Sequence, residues 1–372
     1  MDMPEFHIAV FPGDGIGQEV MAPCLDLIAR VSRAVGGFTL RCDTHTAGAA
    51  LYRDTGVALP DEALRGAEEA DAILLGAMGL PDVRYPDGTE VAPHLDFRDR
   101  FGLYAGVRPI RVLPGAPTPL ADPRAHGVDC VLIRESTEGL FASRTLTRRE
   151  GDAAVFDTMR ITRVTSERLF AFAFELARTR RRAGRRGRVT CVDKANVIPS
   201  LAFFREVFLE CATRFPDVEA DCAYVDATAL RLVRSPWDFD VLVTENMFGD
   251  ILSDVGAALM GGMGMAPSAD IGEAHAVFQP CHGSAPDIAG RGLANPTAMF
   301  LSAAMMLEWL ARRHDVPAAS RAADVITRAV EAAFADGMLL TTENGGDAGT
   351  DAVTTRVFEC LEHDRHFRSP HA

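Results

Sequence analysis

The sequence predicts an α/β fold with a largely parallel sheet, on three observations. Short apolar runs recur along the chain, stretches with helical spacing lie between them, and no internal repeat or low-complexity linker breaks the alternation. Phe6–Phe11 (FHIAVF) reads as the first buried strand and Gln18–Val35 as the helix that follows it. Ala72–Gly76 (AILLG) and Asp129–Arg134 (DCVLIR) are the next two strands. Ile161–Arg182 reads as a helix leading into the strand Arg188–Asp193 (RVTCVD), and Asp240–Thr244 (DVLVT) is a further strand. Met299, Phe300, Ala303, Met306, Leu307 and Leu310 recur at helical spacing, so Pro296–Leu310 buries one face.

Composition narrows the class. A chain of 372 residues holds two or three domains at about 150 residues each. Hydrophobic residues make up 48% and charged residues 24%, as in an ordinary globular protein. With 38 Lys and Arg against 52 Asp and Glu, the net charge of −14 disfavours nucleic acid and anionic membranes as partners. The eight Cys form no C-x-x-C pair, which fits reduced cytosolic thiols better than disulfides or zinc. Met1–His7 lacks a signal peptide's apolar stretch, and Val255–Ala269 is broken by Gly256, Gly261, Gly262, Gly264 and Pro267, so no membrane span is expected. These features point to a cytoplasmic enzyme. Arg178–Arg188 (RTRRRAGRRGR) is either an anion-binding patch or, in keeping with the net charge, a solvated turn after a helix end.

Several motifs bear chemistry. Gly13-Asp14-Gly15-Ile16-Gly17 follows the first strand but has Gln18 where a G-x-G-x-x-G fingerprint needs its last glycine. Asp250 and Asp254 share one face of a helix, where like charges cost stability unless a cation lies between them. A hard divalent ion answers that, with Asp226 as a third oxygen donor; two exposed acids near a helix start are the alternative. Lys194 follows the strand Arg188–Asp193, at the end where open α/β sheets bind ligands, and suits an acid–base role. Arg98, Arg108 and Arg134 have a similar placement, and guanidinium forks grip carboxylates, so together they suggest a di- or tricarboxylate substrate. The turn-rich Pro280–Gly290 carries His282, a base or a stacking group.

With these pieces in order, the chain resembles the isocitrate/isopropylmalate dehydrogenase family of metal-dependent β-decarboxylating dehydrogenases. The resemblance runs from about residue 6 to about 345 through FPGDGIGQEV, IRESTEGLF, VDKANV, TENMFGDILSD and CHGSAPDIAGRGLANPTAMFLSAAMML. It implies two α/β domains that are not a standard Rossmann fold. One joins residues 1–103 and 261–372 on the cofactor side; residues 104–260 form a central substrate, metal and dimerisation domain. It implies that Arg98, Arg108 and Arg134 clamp the malate carboxylates, and that Asp250 and Asp254 hold Mg²⁺ or Mn²⁺. Asp226 and Lys194 then reach in from the partner of a homodimer. Ile16, His282, Gly283, Ser284, Ala285, Asp287, Ile288 and Asn295 hold the cofactor, and Asp287 marks it as NAD by accepting from ribose hydroxyls. The implied reaction is oxidation of a 3-isopropylmalate, tartrate, D-malate or isocitrate type of acid, Lys194 and Asp226 managing the proton, followed by loss of CO₂.

Two residues depart from the family pattern. Phe141 stands where a tyrosine is assigned to the final protonation, and a phenyl ring donates no proton. Tyr85, His94 or water takes over, or the reaction stops at the ketone, which makes a non-decarboxylating dehydrogenase of a tartrate-like acid the alternative. His94 stands where the substrate's variable arm is contacted and favours a polar arm over an isopropyl group; otherwise it turns away and Leu95 and Phe97 line the pocket. A catalytically silent regulatory subunit predicts loss of the clamp or metal residues, yet all are present.

Overall fold

The computed structural model describes residues 3–142, 147–364 and 367. In chain order its elements are β1 (Glu5–Gly13), α1 (Ile16–Val35), β2 (Thr39–Thr44), α2 (Ala49–Thr55), α3 (Asp61–Glu69), β3 (Ala72–Ala77), α4 (Pro93–Phe101), β4 (Ala105–Arg111) and β5 (Asp129–Glu135). An isolated antiparallel pair follows, β6 (Arg148–Glu150) and β7 (Ala154–Phe156). Then come α5 (Arg163–Arg182), β8 (Arg188–Asp193), α6 (Pro199–Ala212), β9 (Glu219–Tyr224), α7 (Val225–Arg234), β10 (Val241–Thr244) and α8 (Asn246–Leu259). The last are β11 (Pro267–Ile271), β12 (Ala276–Pro280), α9 (Thr297–His314), α10 (Pro317–Phe334) and α11 (Thr350–His363). The expected α/β class is what the chain adopts.

Ten strands form one sheet in the order β2-β1-β3-β12-β11-β4-β5-β10-β8-β9. Each half is parallel within itself, as strand–helix alternation requires. The halves run in opposite directions, because β11 pairs antiparallel with both β12 and β4, and β4 antiparallel with β5. β4, β5, β11 and β12 therefore form the middle of the sheet, where the candidate site lies.

The helices show why these residues fold as they do. Thr162 opens α5, its side chain accepting from the Thr165 amide, and Arg180–Arg182 complement the dipole at the other end. Leu169, Phe170, Ala173, Phe174 and Ala177 recur at helical spacing and are fully buried. Phe174 stacks on Phe208 of α6 at 5.4 Å and on Phe215 at 4.9 Å. Truncating such a ring to alanine costs about 3–5 kcal/mol, so Phe174→Ala is the change that loosens this pair of helices. The arginine-rich stretch from the end of α5 to the start of β8 pairs largely with this chain's own acids. Arg178 bonds Asp217 at 2.9 Å, Arg180 bonds Asp240 at 2.6 Å and Asp129 at 3.0 Å, and Arg188 pairs with Glu219 at 3.6 Å.

Among the described residues no helix is long and apolar enough to cross a membrane.

Candidate active site

A cleft of about 490 Å³ opens over the middle strands and is lined by His94, Leu95, Arg98, Arg108, Arg134, Phe141, Asp250, Asp254, Cys281, His282 and Gly283, among others. Its cationic wall is set by sheet register. Asp270 of β11 pairs with Gly106 of β4, which pairs in turn with Arg134 of β5, so these positions share one face of the sheet. Arg108 lies two residues along β4 on that same face. A Cβ at Gly106 would stand 2.6 Å from Ser136 Oγ and 3.0 Å from Asp270 Oδ1, so a side chain there would have to displace them.

Asp270 is the organising acid, and sequence reasoning missed it. Only 1% of its side chain is exposed, with Arg98 Nε at 3.1 Å, Arg108 Nη2 at 3.0 Å and Gln279 Nε2 at 3.2 Å. Burial alone would raise its pKa, but Arg108, Arg98 and Arg134 outweigh that and hold it well below the usual carboxylate range. Arg108 stays firmly charged: Asp270 overcomes the desolvation that works against it. Arg134 donates to Asn246 Oδ1 at 2.9 Å and pairs with Asp250. Burial, then repulsion from Arg98, brings Arg134 down to about 10. Three buried guanidiniums against one buried carboxylate leave an unmet demand for negative charge.

That demand is faced by the acids of α8. Glu245 caps this helix, accepting from Phe248 N at 2.7 Å and Met247 N at 3.1 Å. Gly249, Leu252, Ser253 and Gly256 turn inward, which leaves Asp250 and Asp254 toward the cleft. Partial burial, and then Asp250, raise the pKa of Asp254, against the opposing pull of Arg134 and Arg108. Asp226 does not join them within one chain. It lies at the start of α7, exposed, with Oδ1 2.6 Å from Lys194 Nζ, and neither residue lines the cleft. Among the described residues no three Asp, Glu, His or Cys side chains converge on a metal-sized space.

The two residues that depart from the family pattern both reach the cleft. His94 and Leu95 line it together, whereas Phe97 is fully buried against Phe11 and Phe101. The expectation of a wall made by Leu95 and Phe97 with His94 turned away therefore fails, because α4 uses its Phe97 face for the core. The Phe141 ring lies 5.3 Å from the Arg134 guanidinium carbon. Tyr85 is not among the lining residues; it packs edge-on against Tyr52 at 5.0 Å.

The glycine-rich turn explains its own failed fingerprint. Asp14 is buried, and its carboxylate accepts from Ala49 N at 2.7 Å, Ala50 N at 2.9 Å and Gly79 N at 2.9 Å. It ties three loops together. Gly15 adopts φ 55°, and a Cβ there would stand 2.0 Å from Ser284 O. This close approach seats the 280–290 loop on the turn, with Ile16 N donating to Ser284 O at 2.8 Å. His282 and Gly283 reach the cleft. The imidazole Nδ1 lies 2.9 Å from Gly283 O, Nε2 is buried without a hydrogen-bond partner, and burial lowers the ring's pKa. Ser284 is buried with its hydroxyl 2.5 Å from Gly79 O; Ala285 and Ile288 are half-buried, and Asp287 is exposed. Asn295 stands apart from the cleft, donating to Glu343 at 2.8 Å and capping α9 through the Thr297 amide at 3.1 Å.

Comparison with known proteins shows the family. A family model described as isocitrate/isopropylmalate dehydrogenase matches residues 7–359. A 3-isopropylmalate dehydrogenase of Carboxydothermus hydrogenoformans is 42% identical over 314 residues, 82% of each chain. One of Methanothermobacter thermautotrophicus is 40% identical over 361 residues, covering 97% of this chain and all of that one (100%). The crystal structure of isocitrate dehydrogenase from Methylococcus capsulatus superposes with a TM-score of 0.82 at 36% identity, covering 96% of this chain and 100% of that one.

Proposed function

The chain belongs to the isocitrate/isopropylmalate dehydrogenase family, hence to the oxidoreductases acting on CH–OH, and from that premise we propose that it oxidises a malate-type 2-hydroxy di- or tricarboxylic acid, using NAD and Mg²⁺ or Mn²⁺. The observation that carries the proposal is the cationic wall of Arg98, Arg108 and Arg134 facing Asp250 and Asp254 across one cleft. The residues fit the groups the reaction needs. Asp250 and Asp254 are hard oxygen donors that line the cleft together from α8, which suits a divalent cation. The partnerless Nε2 of His282, the open space around Gly283 and the exposed Asp287 suit a dinucleotide whose ribose hydroxyls donate to a carboxylate.

When bound, the divalent ion acidifies the substrate hydroxyl and the nicotinamide accepts hydride. The chain's own residues do the rest. The three arginines hold the substrate carboxylates and fix the carbinol against the acids of α8. Lys194, paired with Asp226, receives the hydroxyl proton. A single chain leaves that pair outside its own cleft, so the reading includes a homodimer in which each copy supplies Lys194 and Asp226 to the other. Exposed Leu230 and Val233 of α7, Ile251 of α8 and nearby Val197 support it, being 54% to 66% exposed.

His94 in the cleft wall favours a substrate arm that carries a hydroxyl or carboxylate. Phe141 supports a second reading, in which oxidation outruns decarboxylation. Its ring packs by Arg134 and has no proton to give the enolate. The test is a panel of isopropylmalate, tartrate, D-malate and isocitrate, with NADH and CO₂ measured separately. The polar-arm reading expects tartrate, D-malate or isocitrate to have the highest kcat/KM. A clear win for isopropylmalate sinks it, and CO₂ release in step with NADH removes the second reading.

A further inference from the structure

Cys191 of β8 and Cys222 of β9 are register partners on neighbouring parallel strands, so both thiols point to one face of the sheet. Neighbouring strands lie about 4.8 Å apart, inside the roughly 4.4–6.8 Å range of Cα separations that a disulfide spans. β9 is the outermost strand, hydrogen-bonded only to β8 within the sheet, so it has room to yield the small shift that sulphur–sulphur bonding needs. Each strand leads into a residue of the proposed reaction: Lys194, just past β8, is three positions after Cys191, and Asp226, at the start of α7, is four after Cys222.

We propose that Cys191 and Cys222 form a peroxide-oxidisable dithiol whose closure to a disulfide slows the enzyme by displacing Lys194 and Asp226. The two sulphurs differ in the way such a pair requires. Cys191 is fully buried, and burial pushes its thiol up. Cys222 is half-buried at the sheet edge, open to a small oxidant, whereas the buried Cys191 thiol donates to Asp193 Oδ2 at 3.7 Å. Arg205 lies beside this pair of strands, bonding Asp193 through Nε and Nη2 at 2.7 Å each and standing 4.9 Å from the Tyr224 ring. Cys222 is thus the attacking thiolate and Cys191 the resolving thiol.

The chemistry balances with a hydroperoxide as the oxidant. The Cys222 thiolate attacks one peroxide oxygen, the O–O bond breaks, and the departing hydroxide takes a proton as water, leaving a sulfenic acid. The Cys191 sulphur then attacks the Cys222 sulphur, its proton leaves with the second hydroxyl as water, and the S–S bond forms. Two thiols have lost two electrons and two protons to one peroxide.

The test treats the native full-length protein with hydrogen peroxide, then blocks free thiols and maps peptides. The expected result is a mass loss of about 2 Da with residues 191 and 222 linked. Turnover should fall about tenfold and return with dithiothreitol, while Cys222→Ser keeps full activity under peroxide. Both cysteines remaining alkylatable, or a disulfide between other positions, overturns the dithiol. Equal loss in Cys222→Ser assigns the effect to another thiol, such as Cys281 in the cleft, and overturns the coupling. The activity arm rests on the reading above; the mapping arm does not, so failure of one is distinguishable from failure of the other.

Discussion

Arg108 is anchored to Asp270 through a 3.0 Å bond between side chains that are 6% and 1% exposed. The guanidinium is thus aimed before any substrate arrives, and the entropy of ordering a long side chain is met by folding rather than by binding. Asp270→Asn should leave Arg98 and Arg108 buried with a neutral partner, at a cost of about 3–5 kcal/mol. Urea unfolding reads that loss, and KM should rise more than kcat falls. The folded-state pKa is depressed, so the contribution is complete above the unfolded carboxylate value, near pH 4, and fades only as the solution is acidified further. A wild-type-to-mutant stability gap that shrinks between pH 8 and pH 5 would contradict this.

Glu135 behaves in the opposite sense. It is buried at the end of β5 and accepts from Thr137 N and Glu138 N at 2.7 and 2.6 Å. Burial outweighs those donors and raises its pKa to about 7. A raised carboxyl binds its proton more tightly when folded, so stability should increase as pH falls from about 7 toward the unfolded value, by at most about 3 kcal/mol. Thermal unfolding of Glu135→Gln should lack that slope.

Metal dependence centres on α8. Asp250→Asn should cut turnover at least about a hundredfold, and exhaustive chelation should abolish it until Mn²⁺ or Mg²⁺ is restored. Undiminished activity after chelation would end the metal reading, and with it the roles given to Phe141 and His94.

The shared site has a numerical signature. Lys194→Ala and Asp250→Asn proteins should each be inactive. Unfolded together and refolded as a random mixture, they should recover roughly a quarter of wild-type activity, since half the dimers are mixed and each has one intact site. No recovery on mixing would place Lys194 in its own chain's cleft.

The cleft wall can be rewritten residue by residue. Phe141→Tyr should raise the ratio of CO₂ to NADH without a large change in oxidation rate. His94→Leu should move kcat/KM toward isopropylmalate by about tenfold or more. A Phe141→Tyr protein with an unchanged product ratio would show that protonation is not what limits CO₂ loss.

The strands that sequence reasoning found were those with uninterrupted apolar runs, and their edges agreed within a residue or two: Arg188–Asp193 matched, and Asp240–Thr244 begins one residue later. The middle of the sheet was illegible for a physical reason. β4 reads AGVRPIR and β11 reads PSADI, so charges and prolines interrupt the apolar pattern where these strands face a polar cleft. Asp270 was lost with them. Its signal was present, an acid inside a strand whose residues are all buried, since a buried carboxylate needs cationic partners. Arg134 was visible at the end of an apolar run and the Asp250–Asp254 pair by its helical spacing, whereas Arg98 and Arg108 showed only as arginines ten residues apart and His94 only through the family resemblance. That Lys194 and Asp226 pair with each other could not be read from spacing alone, because β8 and β9 meet only in three dimensions.

Arg108, Arg134, Ser268 and Gln279 all line the cleft from strands of one continuous sheet, so hydrogen-bonded ladders, rather than a linker, form its floor. Such a mouth widens only as the sheet bends, the way a curved spring does, and every ångström of gape is resisted by the ladder beneath it. Amides of β4 and β11 should therefore exchange with deuterium on the timescale of global unfolding, whether or not the mouth is filled.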